Sequence, residues 1–363
     1  MIEPRFGESS PFSVGVEEEL MILDAETLEP RPAVDELLRA AEDLEYEGLL
    51  KTELHASVVE LNSGICETPG EAYERLAALR LAAARAAERA GMRVAAAGSH
   101  PAVDPESLEI VGKPRYEGFI EYAGVSARRQ GVNGLHVHVG LADETECLQA
   151  LEGLLPWLPL VLALSANSPY LAGHETGLMS NRAEVLAELP RSGAPPLFRS
   201  FAEWEQLVER FRVSGIPLGK DYTSFWWDVR PHPRFGTLEI RIADQPTSLA
   251  LTGAFTALLQ AVCKRAVQGV PREYAPWERG IYQQNRWAAS RFGVRAELIH
   301  PDESRSASVP ELTHELLGHV GSAELLDALD PSTCEAEQQL EVGRAEGLAA
   351  VVGDVAERSL QFG

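Results

Sequence analysis

The chain has 363 residues, 45% of them hydrophobic, with 32 basic and 55 acidic side chains giving a net charge of −23. That length and composition suit a globular protein with a sizeable core, and the charge argues against nucleic acid or an anionic membrane as a partner. Cys66, Cys147, Cys263 and Cys334 lie far apart without C-x-x-C spacing, which argues against a disulfide scaffold or zinc knuckle and fits a reducing cytosol.

In chain order, Val14–Leu23 alternates as a strand, placing Glu17 and Glu19 on one face and Glu18 on the other. Two carboxylates on an otherwise aliphatic strand are costly to bury unless cations neutralise them, and hard divalent ions prefer oxygen ligands. A solvated edge strand is the competing explanation. Ala33–Leu44 reads as an acidic amphipathic helix. Glu53 and Glu60 are seven residues apart, so they converge only if the chain turns near Ala56-Ser57. Ala72–Ala90 is the clearest helix, with Pro69 and Gly70 before it and Gly91 after it. Arg93–Ala97 returns as a buried strand.

Leu135–Leu141 reads as a strand within the motif Gly134-Leu135-His136-Val137-His138-Val139-Gly140 and the residue after it, and both imidazoles share one face about 6.6 Å apart. They read either as hydrogen-bonded histidines at a sheet edge or as one metal ligand and one group reaching what the metal holds. A helix follows from about Glu144 into the Trp157 region. The most apolar stretch, Leu154–Ala166, is interrupted by Pro156 and Pro159 and reads as too short to span a bilayer; the N-terminus shows no secretion signal. Residues 166–196 form a Gly-, Ser- and Pro-rich loop of the kind that binds ligands. Strands are expected at Ser224–Arg230 and Gly236–Ile242, flanking Pro231-His232-Pro233-Arg234. On them Asp228 shares a face with Arg230, and Glu239 with Arg241. Leu249–Val267, Trp277–Phe292, Val309–Val320 and Glu335–Leu360 read as helices.

Four strands thus carry charged or imidazole groups on one face and aliphatics on the other. The expectation is one α+β domain over residues 1–363, with a largely antiparallel sheet bearing a polar ligand-binding face and helices packed on the other. His314 and His319 are five apart, about 140° around a helix, and cannot chelate one ion as the zinc-protease motif does. No Gly-rich phosphate loop and no G-x-S-x-G elbow occurs.

The assembled residues resemble the type-two glutamate–cysteine ligase family, the YbdK-like carboxylate–amine ligases with the catalytic fold of glutamine synthetase. The matching segments include Gly15-Val16-Glu17-Glu18-Glu19-Leu20, Val59-Glu60-Leu61-Asn62-Ser63-Gly64, the histidine strand, Ser165-Ala166-Asn167-Ser168-Pro169-Tyr170, Trp227-Asp228-Val229-Arg230-Pro231 and Gly236-Thr237-Leu238-Glu239-Ile240-Arg241. The resemblance implies ATP-dependent amide formation through an acyl phosphate, with Mg²⁺ or Mn²⁺, in the cytoplasm. It implies Glu17, Glu19, Glu53, Glu60, His136 and Glu239 as ligands of two or three metal ions. It implies His138, Arg230 and Arg241 as phosphate and acyl-phosphate contacts, where guanidinium forks suit the oxygens. Asn181 and Arg182 are the candidates for a substrate carboxylate, with Asn285 and Arg286 as second choice against an exposed helix face. The expected partners are glutamate, an amine such as cysteine, and ATP, and a homodimer is left open. A guanidino-kinase-type phosphotransferase and a non-catalytic metabolite-binding protein are the alternatives.

Overall fold

The alternation of Val14–Asp24 produces β1, the hub of the sheet. The structure is a computed structural model and describes residues 3–270 and 273–362. Around β1 lie β2 (Leu49–Thr52), β3 (Val58–Asn62), β4 (Met92–Ala95) and β5 (His136–Gly140). A small hairpin, β6 (Tyr170–Leu171) with β7 (His174–Glu175), precedes β8 (Val229–His232) and β9 (Thr237–Ile240). The seven-stranded sheet has the order β2-β3-β1-β5-β9-β8, with β4 also paired to β1. Every pairing in it is antiparallel, as the α+β expectation required.

Val14, Val16, Leu20 and Ile22 of β1 join Val137, Val139, Leu238 and Ile240 in the largest core, beneath the helices Pro69–Arg89 and Leu249–Gln268. The first of these helices starts where Thr68 Oγ1 accepts the Glu71 N–H at 3.1 Å and Pro69 takes the first turn. Glu18 lies in the middle of this aliphatic face of β1, and it is fully buried. Arg80 meets it with a two-pronged contact, Nε and Nη2 donating at 2.7 and 2.6 Å, while Gln245 and Thr252 donate to the same carboxylate. Arg80's other donors go to the carbonyls of Pro246, Thr247 and Ser359.

Several expectations change. The Glu17–Glu19 face continues into Met21 and Leu23, which pack under Val351, Val352 and Val355 of the helix Leu348–Arg358, so helices cover part of that face too. β8 begins at Val229 instead of Ser224 because Asp221 caps a 3₁₀ turn at Tyr222–Ser224. The 166–196 loop holds a helix, Asn181–Ala187, capped by Ser180, and Ser200 caps an unforeseen helix, Phe201–Ser214. Pro114–Ala123 is also helical. Gly347, at φ 90°, divides the expected C-terminal helix into Glu335–Glu346 and Leu348–Arg358. Pro156 and Pro159 do not interrupt the apolar stretch, since each sits in the first turn of a helical segment. Glu144–Ser165 is therefore long and apolar enough to cross a membrane, but 83% of its apolar window is buried within the fold. All four cysteines are unpaired and buried.

Candidate active site

Strand register builds the polar face row by row. Glu17 lies opposite Asn62 of β3 and His136 of β5; Glu19 lies opposite Glu60. Lys51 of β2 lies opposite Glu60, and Glu239 of β9 lies between His138 and Arg230. Glu53 joins them because residues 53–57 turn the chain between β2 and β3, with the Val58 N–H donating to the His55 carbonyl at 3.1 Å. The turn at Ala56-Ser57 is where the spacing required it.

Glu17, His136 and Glu239 bring one ligand atom each to within 4.8 Å of one another. Glu17 accepts from Asn62 Nδ2 at 2.8 Å and approaches His136 Nδ1 at 3.3 Å. Burial works to raise the Glu17 carboxyl, but the His136 contact and the charges of His138 and Lys51 outweigh it and hold the group below its ordinary range. Burial, with Arg241 nearby, pushes His136 down to about 4, so its ring is neutral and a lone pair is available to a metal at neutral pH. Burial also opposes ionisation of Glu239, but Arg230 and Arg241 hold it well below the usual carboxylate value.

The second acidic group behaves differently. Glu19, which accepts the Gly134 N–H at 2.6 Å, is raised to about 7 by burial and the charge of Glu53. Burial together with Glu17 and Glu53 raises Glu60 well above its ordinary value, despite Lys51 Nζ at 2.7 Å. Burial raises Glu53 as well, against the opposing charge of Arg115. Tyr116 lies close by, its hydroxyl 3.4 Å from Glu53. Glu19, Glu53 and Glu60 are thus all raised, with burial as the first cause in each.

His138 Nδ1 pairs with Thr237 Oγ1 at 2.9 Å. Arg230 spends Nε and Nη2 on Glu239, at 2.6 and 3.2 Å, and Nη1 on the carbonyls of Thr223 and Phe225. Little of its fork is left for a ligand. Arg241 contacts Glu239 and His136 through Nη1 alone and is the more exposed of the two, so it has more to offer an oxyanion.

Other expected positions serve the scaffold. Arg182 is buried and donates to the carbonyls of Ile242 and Arg241, stacked so closely on Gly134 that a Cβ there would fall 2.0 Å from Nη2. Burial lowers Arg182, against the nearby Asp244 and Glu19. Its neighbour Asn181 is buried with Nδ2 lacking a hydrogen-bond partner. Asn285 and Arg286 are not on an exposed helix face: Asn285 clamps both backbone groups of Ile299, and Arg286 binds Asp228 at 2.8 Å. Asp228, expected beside Arg230, instead accepts from Tyr282 and Arg286.

Lys51, Tyr116 and His232 were missed. Lys51 has a legible signal, since it alternates with Glu53 ahead of the turn. His232 sits between two prolines that hide its strand character, yet it faces His138 at a ring-centroid distance of 5.4 Å.

Residues 13–338 match the model of glutamate-cysteine ligase family 2. A Rubrobacter xylanophilus protein provisionally named glutamate–cysteine ligase 2-3 is 39% identical over 346 residues, covering 95% of this chain and 92% of its own. A Herpetosiphon aurantiacus protein provisionally named glutamate–cysteine ligase 2 is 33% identical over 97% of this chain and 94% of its own. Among solved structures, Francisella tularensis glutamate–cysteine ligase in complex with AMP superposes with a TM-score of 0.70 over 97% of this chain and 89% of that one, at 13% identity. A bifunctional glutathione synthetase from Pasteurella multocida gives 0.67 over 96% of this chain and 51% of that one, at 15% identity. These two likenesses extend the sheet and its helices to a known ligase fold. With the family model spanning nearly the whole sequence, the chain belongs to glutamate-cysteine ligase family 2.

Proposed function

We propose that this chain is an ATP-dependent ligase that joins the γ-carboxylate of glutamate to cysteine or another amine, acting as one catalytic domain in the cytoplasm. Family membership supports the reaction class. The observation that carries the site is the Glu17–His136–Glu239 group, two low-pKa carboxylates and a neutral imidazole converging within 4.8 Å. That donor set suits Mg²⁺ or Mn²⁺. Glu17, His136 and Glu239 would hold one ion, and Glu19, Glu53 and Glu60 would turn toward a further one. When bound, such ions neutralise the charge of the ATP oxygens in phosphoryl transfer.

The glutamate γ-carboxylate attacks the γ-phosphorus, the bond to the ADP oxygen breaks, and an acyl phosphate results. The free amine then attacks the acyl carbon, and phosphate and a proton leave. Arg241 presents a guanidinium to the transferred phosphoryl group, with His138 beside it. Arg230 holds Glu239 and the Tyr222–Ser224 turn in place through its own bonds. The unpartnered Asn181 amide is available to a substrate carboxylate, while Arg182 supports it from behind.

The test is phosphate release from ATP with glutamate, Mg²⁺ and a panel of amines. Release that depends on an amine supports the ligase. A stable phosphorylated product without amine would establish a kinase, and the absence of turnover with every amine would leave a binding protein.

A further inference from the structure

The β8–β9 hairpin ends in an aromatic group that the phosphoryl chemistry does not use. Residues 232–236 close the turn, the Phe235 N–H donating to the His232 carbonyl at 3.0 Å and the Gly236 N–H to the Pro233 carbonyl at 3.1 Å. Gly236 is at φ 66°, and a Cβ there would meet the Arg5 carbonyl at 2.2 Å, so the turn is held against the N-terminal segment. The Phe235 ring stacks on His232, with centroids 4.2 Å apart and planes at 17°. His138 meets both edge-on, at 5.4 and 5.7 Å. Tyr222 closes the far side of His232, its hydroxyl 3.3 Å from Nδ1.

Two of these rings, His232 and Tyr222, are spent in packing. His232, His138 and Tyr222 are all buried, whereas Phe235 is 56% exposed. An apolar ring supported from beneath by a buried stack is a rigid platform, and its order is already provided for by its neighbours. Its position gives it a ligand. Glu239 and Thr237 share a face of β9, and Phe235 lies in the turn just before that strand, so the platform sits at the end of the strand beyond Thr237. His138 joins the two ends, touching Thr237 on one side and the Phe235 ring on the other.

Resting on the ligase reading above, we infer that the exposed face of Phe235 is the stacking platform for the purine base of the nucleotide whose phosphates lie at His138 and Arg241. Base–aromatic stacking contributes enough to decide nucleotide affinity.

The experiment is calorimetric titration of the wild type, Phe235→Ala and Phe235→Trp with two magnesium complexes, a non-hydrolysable ATP analogue and inorganic tripolyphosphate. The expected result is that Phe235→Ala weakens the ATP analogue about tenfold, leaves tripolyphosphate within about twofold, and that Phe235→Trp restores the analogue. Unchanged affinity of Phe235→Ala for the analogue would overturn the platform, as would an equal loss for tripolyphosphate or a failure of Phe235→Trp to restore. If the wild type binds neither complex, the ligase reading itself falls; if it binds both equally well, only the platform does.

Discussion

Glu18 and its neighbours Glu17 and Glu19 are the same chemistry on opposite faces of β1, and their partners differ in kind. Glu18 is sealed in the core and satisfied by the Arg80 fork, Gln245 and Thr252. Glu19, across the strand, shares its surroundings with Glu53 and Glu60 and is raised to about 7. The first arrangement completes its own charge balance; in the second, burial and the neighbouring carboxylates outweigh Arg182, Arg241 and Lys51, so Glu19 and Glu60 stay raised. A buried carboxylate is therefore informative through what it lacks.

The sharpest way to break this contrast is on the polar face. Glu17→Gln or His136→Ala should abolish metal-dependent ATP turnover while thermal unfolding stays within a few degrees of wild type; near-normal turnover in both would remove the metal assignment. On the core face the reverse is expected. Glu18→Gln leaves Arg80 buried without its counter-charge and should cost about 3–5 kcal/mol in chemical denaturation. Replacing both, Glu18→Leu with Arg80→Met, should recover much of that loss, and no recovery would mean that the carbonyl bonds of Arg80 matter more than the ion pair. Arg241→Lys keeps the charge and loses the fork, so the turnover number should fall about tenfold. A variant as fast as wild type would move the phosphoryl contact elsewhere.

The smallest effect is a slope with pH. Glu19 titrates near 7 when folded and near its ordinary 4.5 when unfolded, so between those values the folded chain binds more protons. Stability of the metal-free protein should then fall as pH rises from about 5 to 7, and Glu60 pulls the same way. Glu17 and Glu239, depressed when folded, contribute stability that is complete above about pH 5 and do not cancel this slope. Glu19→Gln should flatten the slope and raise the metal-free melting temperature at pH 7.5 by a few degrees. An unchanged slope would show that Glu19 is already compensated.

Much of this was legible because strands report faces with a period of two. Glu17 with Glu19, His136 with His138 and Glu239 with Arg241 all follow from alternation, and so does the opposite orientation of Glu18. The partner of Glu18 had a signal as well: Arg80 falls four residues after Leu76 and three before Ala83, on the apolar stripe of its helix. A charge on such a stripe demands an opposite charge in the core. What alternation cannot give is long-range pairing. Arg286 faces Asp228 and Asn285 faces Ile299 because of how helices dock, and nothing local distinguishes these residues from ligand contacts. The Tyr222–Ser224 turn likewise shortened β8 through a single Asp221 cap.

The bonds of Arg80 have a consequence for the order of assembly. Its guanidinium joins a strand at residue 18, a helix at residue 80, the segment at 246–247 and a carbonyl at residue 359. On a ribosome, the hub strand is made before those later segments, and the pocket that buries its carboxylate is closed only once residue 359 has emerged. Contacts separated by so much sequence are slow to form. A growing chain therefore carries Glu18 and Arg80 without part of their final surroundings until residue 359 can reach them.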